Sequence, residues 1–177
     1  SKVTPDQAIV TAPVVGINQA YTVEDENMGS WVLGTHCHPN VGPVSRAPEG
    51  SRVLRIEAHE FARRKRYHHD KLTLVFAGMR HFRDALRARG FSVEYIKAET
   101  FGDGLEKYFE THPHDEIVQM RSPSHRSAER FRELVDEAGG RLETVQNELF
   151  VGTREAFDSW ANDTQKDPFR HETFYRW

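Results

Sequence analysis

Residues 71–96 read KLTLVFAGMRHFRDALRARGFSVEYI, and this stretch decides the fold. Leu72, Val75, Phe76, Met79, Phe82 and Leu86 recur at spacings of three and four, which lays one apolar stripe along a helix from Lys71 to Arg89. Gly90 follows where a helix is capped by a residue that tolerates left-handed backbone. Phe91 to Ile96 then reads as an extended segment, so a helix delivers the chain directly into a strand. That succession is half of a βαβ unit.

The same alternation continues in both directions. Upstream, Val53 to Ile56 predicts a strand ending at Glu57, and Trp31 to Leu33 predicts an earlier one, closed by Gly34 and followed by a Pro- and Gly-rich loop up to Gly50. Downstream, Asp103 is placed to cap a short helix carrying Leu105, Tyr108 and Phe109, which His112-Pro113 ends. Glu116 to Met120 gives a fourth strand. Ala128, Phe131, Leu134, Val135 and Ala138 mark the next helix, stopped by Gly139-Gly140. Leu142 to Val145 is the fifth strand, and Thr153 caps a last helix with Phe157 and Trp160.

Strands joined by crossover helices pair in parallel. The expected fold is therefore α/β: a Rossmann-like, doubly wound, five-stranded parallel sheet with helices on both faces. Its ligand crevice belongs beyond the carboxyl ends of the strands, where their order reverses, which directs attention to the loop after strand one. Residues 1–29 lack a clear period and read as an N-terminal extension, residues 30–165 as the α/β domain, and residues 166–177 as the start of a linker.

Composition narrows the function. A chain of 177 residues fits one domain with a real core. Its net charge of −3 supplies no global basic field to draw in nucleic acid. The single cysteine, Cys37, rules out an internal disulfide framework and any cluster held by four thiolates of this chain. With no membrane-spanning apolar run and no signal-like start, the expected location is the cytoplasm.

Much of the chemistry familiar from this fold is missing. Gly34-Thr35-His36-Cys37-His38-Pro39 follows strand one without the glycine spacing of a dinucleotide turn, and neither a P-loop nor a nucleophile elbow occurs. His36, Cys37 and His38 lie side by side, but alternate side chains of an extended loop diverge and no second ligand pair follows, so a polar loop is the favoured reading over a metal site. His68, His69, His112 and His114 read as helix-end or loop histidines. Arg63-Arg64-Lys65-Arg66 reads as a solvated basic face. Glu57 differs, because it closes a central strand at the crevice. Its carboxylate can accept hydrogen bonds from a heterocycle or a ribityl hydroxyl, or pair with a neighbouring arginine.

Several segments carry a family resemblance. Val53 to Ala58, Arg66 to Leu72, Phe76 to Phe82, Leu86 to Phe91 with Val93-Glu94-Tyr95, and the closing Arg170 to Trp177 together resemble the N-terminal region of the iron–sulfur bacterial photolyases and cryptochromes. Met79-Arg80-His81-Phe82 is the most specific of these motifs. The resemblance implies an antenna domain that holds a light-harvesting pigment, typically 6,7-dimethyl-8-ribityllumazine. It implies a partner as well, a helical FAD-binding domain with a 4Fe–4S cluster, joined in cis or in trans, through which alone DNA is met. FAD and the cluster would belong to that domain and not to these 177 residues, so catalysis is not expected of this chain by itself.

On the same resemblance the pigment pocket maps to Gly34, Thr35, His36 and Cys37 and to Glu57. Members usually write Gly-Asp-Gln-Leu where this chain has Gly34-Thr35-His36-Cys37, which replaces an acid and an amide. Arg80 and His81 are placed to dock the helical domain, and Phe169, Phe174, Tyr175 and Trp177 form an apolar patch made to be covered. Two other readings stand beside the antenna: a stand-alone α/β binding or assembly module with a decayed pocket, and a small enzyme, which the absence of a converging nucleophile and base disfavours.

Overall fold

The computed structural model describes residues 28–113, 115–150, 152–164 and 171–176. Residues 1–27 of the extension, together with His114, Phe169 and Trp177, lie outside the described residues. Five strands, β1 (Met28–Trp31), β2 (Arg52–Ala58), β3 (Ser92–Ala98), β4 (Glu116–Met120) and β5 (Arg141–Val145), form one sheet in the order β3-β2-β1-β4-β5, with every neighbouring pair parallel. The order reverses between β1 and β4, which makes their carboxyl ends the topological switch point.

Seven helices accompany the described strands: α1 (Pro43–Arg46), α2 (His59–Arg63), α3 (His69–Ala88), α4 (Phe101–Thr111), α5 (His125–Glu137), α6 (Arg154–Thr164) and α7 (His171–Tyr175). They cover both faces of the sheet, as the apolar alternation in β2 requires. Leu54, Ile56 and Ala58 pack with Leu105, Tyr108 and Phe109 of α4 and with Leu134 and Val135 of α5. Val53 points the other way and packs with Val44 of α1 and with Phe82 and Leu86 of α3. Arg55 and Glu57 share the parity of Val53, so a strand covered on both sides buries two charged side chains on its α3 face.

Three local features depart from the sequence expectation. The first strand runs from Met28 to Trp31, beginning three residues earlier and ending two residues earlier than the expected Trp31 to Leu33, and takes in two residues assigned to the extension. Met28-Gly29-Ser30 lacks the apolar run that marks a strand; it is fixed by neighbours on both sides, Gly29 facing Arg52 of β2 and Ile117 of β4. Asp103 is not the cap of α4. Thr100 is, and Asp103 is the reciprocal partner of a capping box, its carboxylate accepting from the Thr100 N–H at 3.0 Å. Phe174 is not left bare, because α7 lays it against Phe157 and Trp160 of α6 at 5.3 and 5.4 Å between ring centroids; Tyr175 stays exposed.

The helix boundaries otherwise follow local chemistry. His68 caps α3 by accepting from the Asp70 N–H, and Gly90 leaves it at φ 86°. Thr153 Oγ1 accepts from the Ala156 N–H at 2.9 Å at the start of α6. Among the described residues no helix is long and apolar enough to cross a membrane.

Candidate functional site

The residues singled out by sequence gather on the α3 face of the sheet. Gly34 sits just beyond β1, and a Cβ placed on it would come within 3.0 Å of Met79 Sδ, so its bare backbone is what lets the loop lie against α3. Thr35 is exposed and makes no hydrogen bond among those resolved, whereas His36 is buried at 3 % exposure. The Cys37 thiol donates to the Gly34 carbonyl at 3.1 Å and accepts from Arg55 Nη2 at 3.3 Å. The loop is thus tied to β2 through Arg55.

Glu57 lies two residues further along the same face of β2. Both oxygens of its carboxylate are engaged with protein: Arg80 Nη2 donates to Oε1 at 2.6 Å, Arg80 Nε donates to Oε2 at 3.1 Å, and the Tyr95 hydroxyl also donates to Oε2. Of the roughly four acceptor positions of a carboxylate, three are used. The arginine that sequence placed at a docking surface is therefore the partner of Glu57, although its own side chain remains 46 % exposed. Gly34 and Glu57 meet adjacent residues of one turn of α3, Met79 and Arg80.

The electrostatics follow from this pairing. Burial pushes the Glu57 carboxyl up, but the hydrogen bonds from Arg80 and Tyr95 and the charges of Arg80 and Lys97 together outweigh it and hold the carboxyl below its ordinary range. The hydrogen bond and charge of Glu57 raise Arg80. Burial and then the Glu57 contact push the Tyr95 phenol up to about 12. His36 is held below its usual value by burial and by the nearby Arg55 charge, so it is neutral at pH 7.

The switch point itself is narrow. Trp31, Val32, His36, His38, Val41, Pro43, Val44 and Met120 close around about 10 Å³, room for one water at most. The larger opening lies on α3, a groove of about 320 Å³ lined by His69, Leu72, Thr73, Phe76, Ala77 and Arg80. Arg80, whose guanidinium Glu57 grips, is one of its polar lining residues, and Leu72, Phe76 and Ala77 supply its apolar part.

Two participants went unread in the sequence, Arg55 and Tyr95. Arg55 is wholly buried, with its guanidinium 5.0 Å from the Phe82 ring centroid, and neither Nε nor Nη1 has a hydrogen-bond partner. The available signal was Arg55 and Glu57 at alternate positions of a strand expected to be covered on both faces, where neither charge can reach solvent. Other polar candidates resolve as structure. His112 stacks on Tyr108 at 4.8 Å at the end of α4, and within the basic run Arg63 pairs with Glu99 at 2.6 Å.

No curated protein matches the chain. The family model described as deoxyribodipyrimidine photo-lyase-related protein matches residues 30–177, which takes in all five strands but the first two residues of β1. On that match, and with a parallel sheet of the expected topology beneath it, the chain belongs to the deoxyribodipyrimidine photolyase-related protein family.

Proposed function

We propose that this chain is the chromophore-binding antenna domain of a photolyase- or cryptochrome-related flavoprotein of the cytoplasm that serves light-dependent DNA repair or light sensing. The single observation that carries the reading is the groove of about 320 Å³ on α3, lined by the Arg80 that Glu57 holds from beneath. Its volume falls in the range of small-molecule sites, and it combines an apolar wall with a few fixed polar groups. A lumazine-type pigment such as 6,7-dimethyl-8-ribityllumazine fits that chemistry: its ring lies on the apolar wall, while its carbonyl and ribityl oxygens meet the N–H groups of Arg80 that Glu57 leaves free.

Within this reading Glu57 acts chiefly by holding Arg80, and of the loop Gly34, Thr35, His36 and Cys37 it is Gly34 that backs Met79. The groove is lined by one helix and open on its outer side, which suits closure by a helical FAD-binding domain in cis or in trans. FAD, the 4Fe–4S cluster and DNA belong to that domain. The exposed Leu74, elsewhere on α3, also favours the second reading, a binding module whose α3 helix docks a helical partner without pigment.

Reconstitution separates the two. The full chain incubated with 6,7-dimethyl-8-ribityllumazine and desalted should retain a near-ultraviolet absorption band, and Arg80→Ala should lose it. A colourless wild-type protein, or pigment retained equally by Arg80→Ala and Glu57→Ala, would defeat the assignment.

A further inference from the structure

We infer that the basic turn between α2 and α3, which carries Arg64, Lys65, Arg66 and Lys71, is a docking surface for an acidic segment of the protein that closes the α3 groove. All four side chains are exposed. Arg63, which opens the run, is paired with Glu99, but among the described residues none of these four forms an ion pair.

The nearby acids are engaged elsewhere. Glu99 serves His59 as well as Arg63, Glu60 accepts from the Phe101 N–H at 2.7 Å, and Asp70 stands 3.5 Å from the His68 ring. Like charges are left crowded on one turn, and a row of carboxylates is the group that relieves their repulsion. Their field reaches the Tyr67 phenol, which is held below its ordinary value chiefly by the Arg64 hydrogen bond and also by the charges of Arg64, Lys65 and Lys71.

Two of the cations are held in place before any partner arrives. Arg64 lies over the Phe61 ring at 5.9 Å and donates to the Tyr67 hydroxyl at 3.4 Å, and Lys71 lies over the Tyr67 ring at 4.8 Å. Ordering fixed in advance lowers the entropy lost on docking. The two rings stack at 5.3 Å, and Phe61 meets the groove residue Phe76 at 6.5 Å. The turn is therefore built onto the rim of the groove, within reach of a protein that covers its open side.

The same contacts favour a protein over a nucleic acid. A surface for single strands needs aromatic faces on which bases stack. Here Phe61 and Tyr67 stack on each other and each carries a cation. The net charge of −3 adds no wider field to guide a long polyanion.

The inference rests on the proposed function only in supposing a protein that closes the groove, and its test can be read separately. A fluorescein-labelled polyglutamate peptide of about twelve residues should bind the full chain, and bind at least about tenfold more weakly as sodium chloride rises from about 50 to about 300 mM. Arg64→Gln, Lys65→Gln and Arg66→Gln together should weaken it at least about tenfold, whereas Arg126→Gln with Arg132→Gln on α5 should change it less than about twofold. No wild-type binding at low salt, or binding indifferent to salt, overturns the inference even if the triple variant fails to fold. Equal weakening by the α5 pair overturns it too. A thymidine oligonucleotide of equal length that binds more tightly, through the same turn, overturns it in favour of nucleic acid. Retention of 6,7-dimethyl-8-ribityllumazine by a chain that ignores the peptide overturns it and leaves the pigment reading standing. A colourless chain that binds the peptide through this turn does the reverse.

Discussion

Arg80 grips Glu57 with two of its nitrogens, Nη2 on Oε1 at 2.6 Å and Nε on Oε2 at 3.1 Å, from a helix turn that also rests Met79 against Gly34. This fork joins α3 to the carboxyl end of β2. The side chains differ sharply in exposure, Arg80 at 46 % and Glu57 at 4 %.

Removing the exposed partner should therefore cost more than a surface ion pair. Arg80→Met leaves a buried carboxylate with the Tyr95 hydroxyl alone, and we expect a loss of about 2 kcal/mol in urea unfolding. Adding Glu57→Gln should recover most of it. A double variant as unstable as Arg80→Met would show that the pairing is not the source.

The neutral state of His36 sets a pH dependence. Its folded pKa lies below the ordinary 6.5, so the unfolded chain binds the proton first as pH falls. Its contribution is fully present above pH 6.5 and is lost as pH falls toward the folded value. Stability should start to decline below about pH 6.5, and His36→Gln should flatten that limb without flattening the steeper loss below pH 4.5 to which Glu57 contributes. An imidazole titrating at or above 6.5 by NMR would contradict the burial of this ring.

Tyr95 gives the alkaline counterpart. Its phenol is raised from 10.0 to about 12, so the stability it adds is present below pH 10 and is lost as pH rises through about 12. Spectrophotometric titration should show a late tyrosinate transition that Tyr95→Phe removes. Loss of an early transition instead would place this hydroxyl in solvent.

Two neighbouring glycines separate packing from backbone strain. A Cβ on Gly140 would stand 2.0 Å from Cζ of the buried Phe109, while Gly139, at φ 79°, has nothing within 4 Å. Gly140→Ala should cost about 2 kcal/mol by overpacking and Gly139→Ala about 1 kcal/mol by strain alone. Trimming Phe109 to Leu should relieve only the former. Relief of both would mean that the second site is also crowded.

The fold was legible where one local rule sufficed. The stripe from Leu72 to Leu86, the Gly90 stop, the Thr153 cap and Glu116 to Met120 each carry their own signal, and each stands where the pattern put it. The start of β1 was not legible, because Met28-Gly29-Ser30 becomes a strand only by pairing on both sides. Glu57 could be singled out from its place at the end of β2, but its partners could not. Arg80 is 23 residues away and Tyr95 is 38, brought in by the crossover helix and the next strand. Arg55 was masked by its charge, since burial of an arginine follows only after helices cover both faces of β2.

The four-residue β1 holds the centre of the sheet, with β2 and β3 on one side and β4 and β5 on the other. The register joins Met28 to Glu116, so the halves meet through a pairing that closes a long stretch of chain. During synthesis the first half offers the open edge of β1 until Glu116 to Met120 has left the ribosome. This interval is the one in which a foreign strand can take the place of β4 and seed aggregation. The vulnerable moment in the life of this protein is thus set by topology and by the late arrival of one five-residue segment.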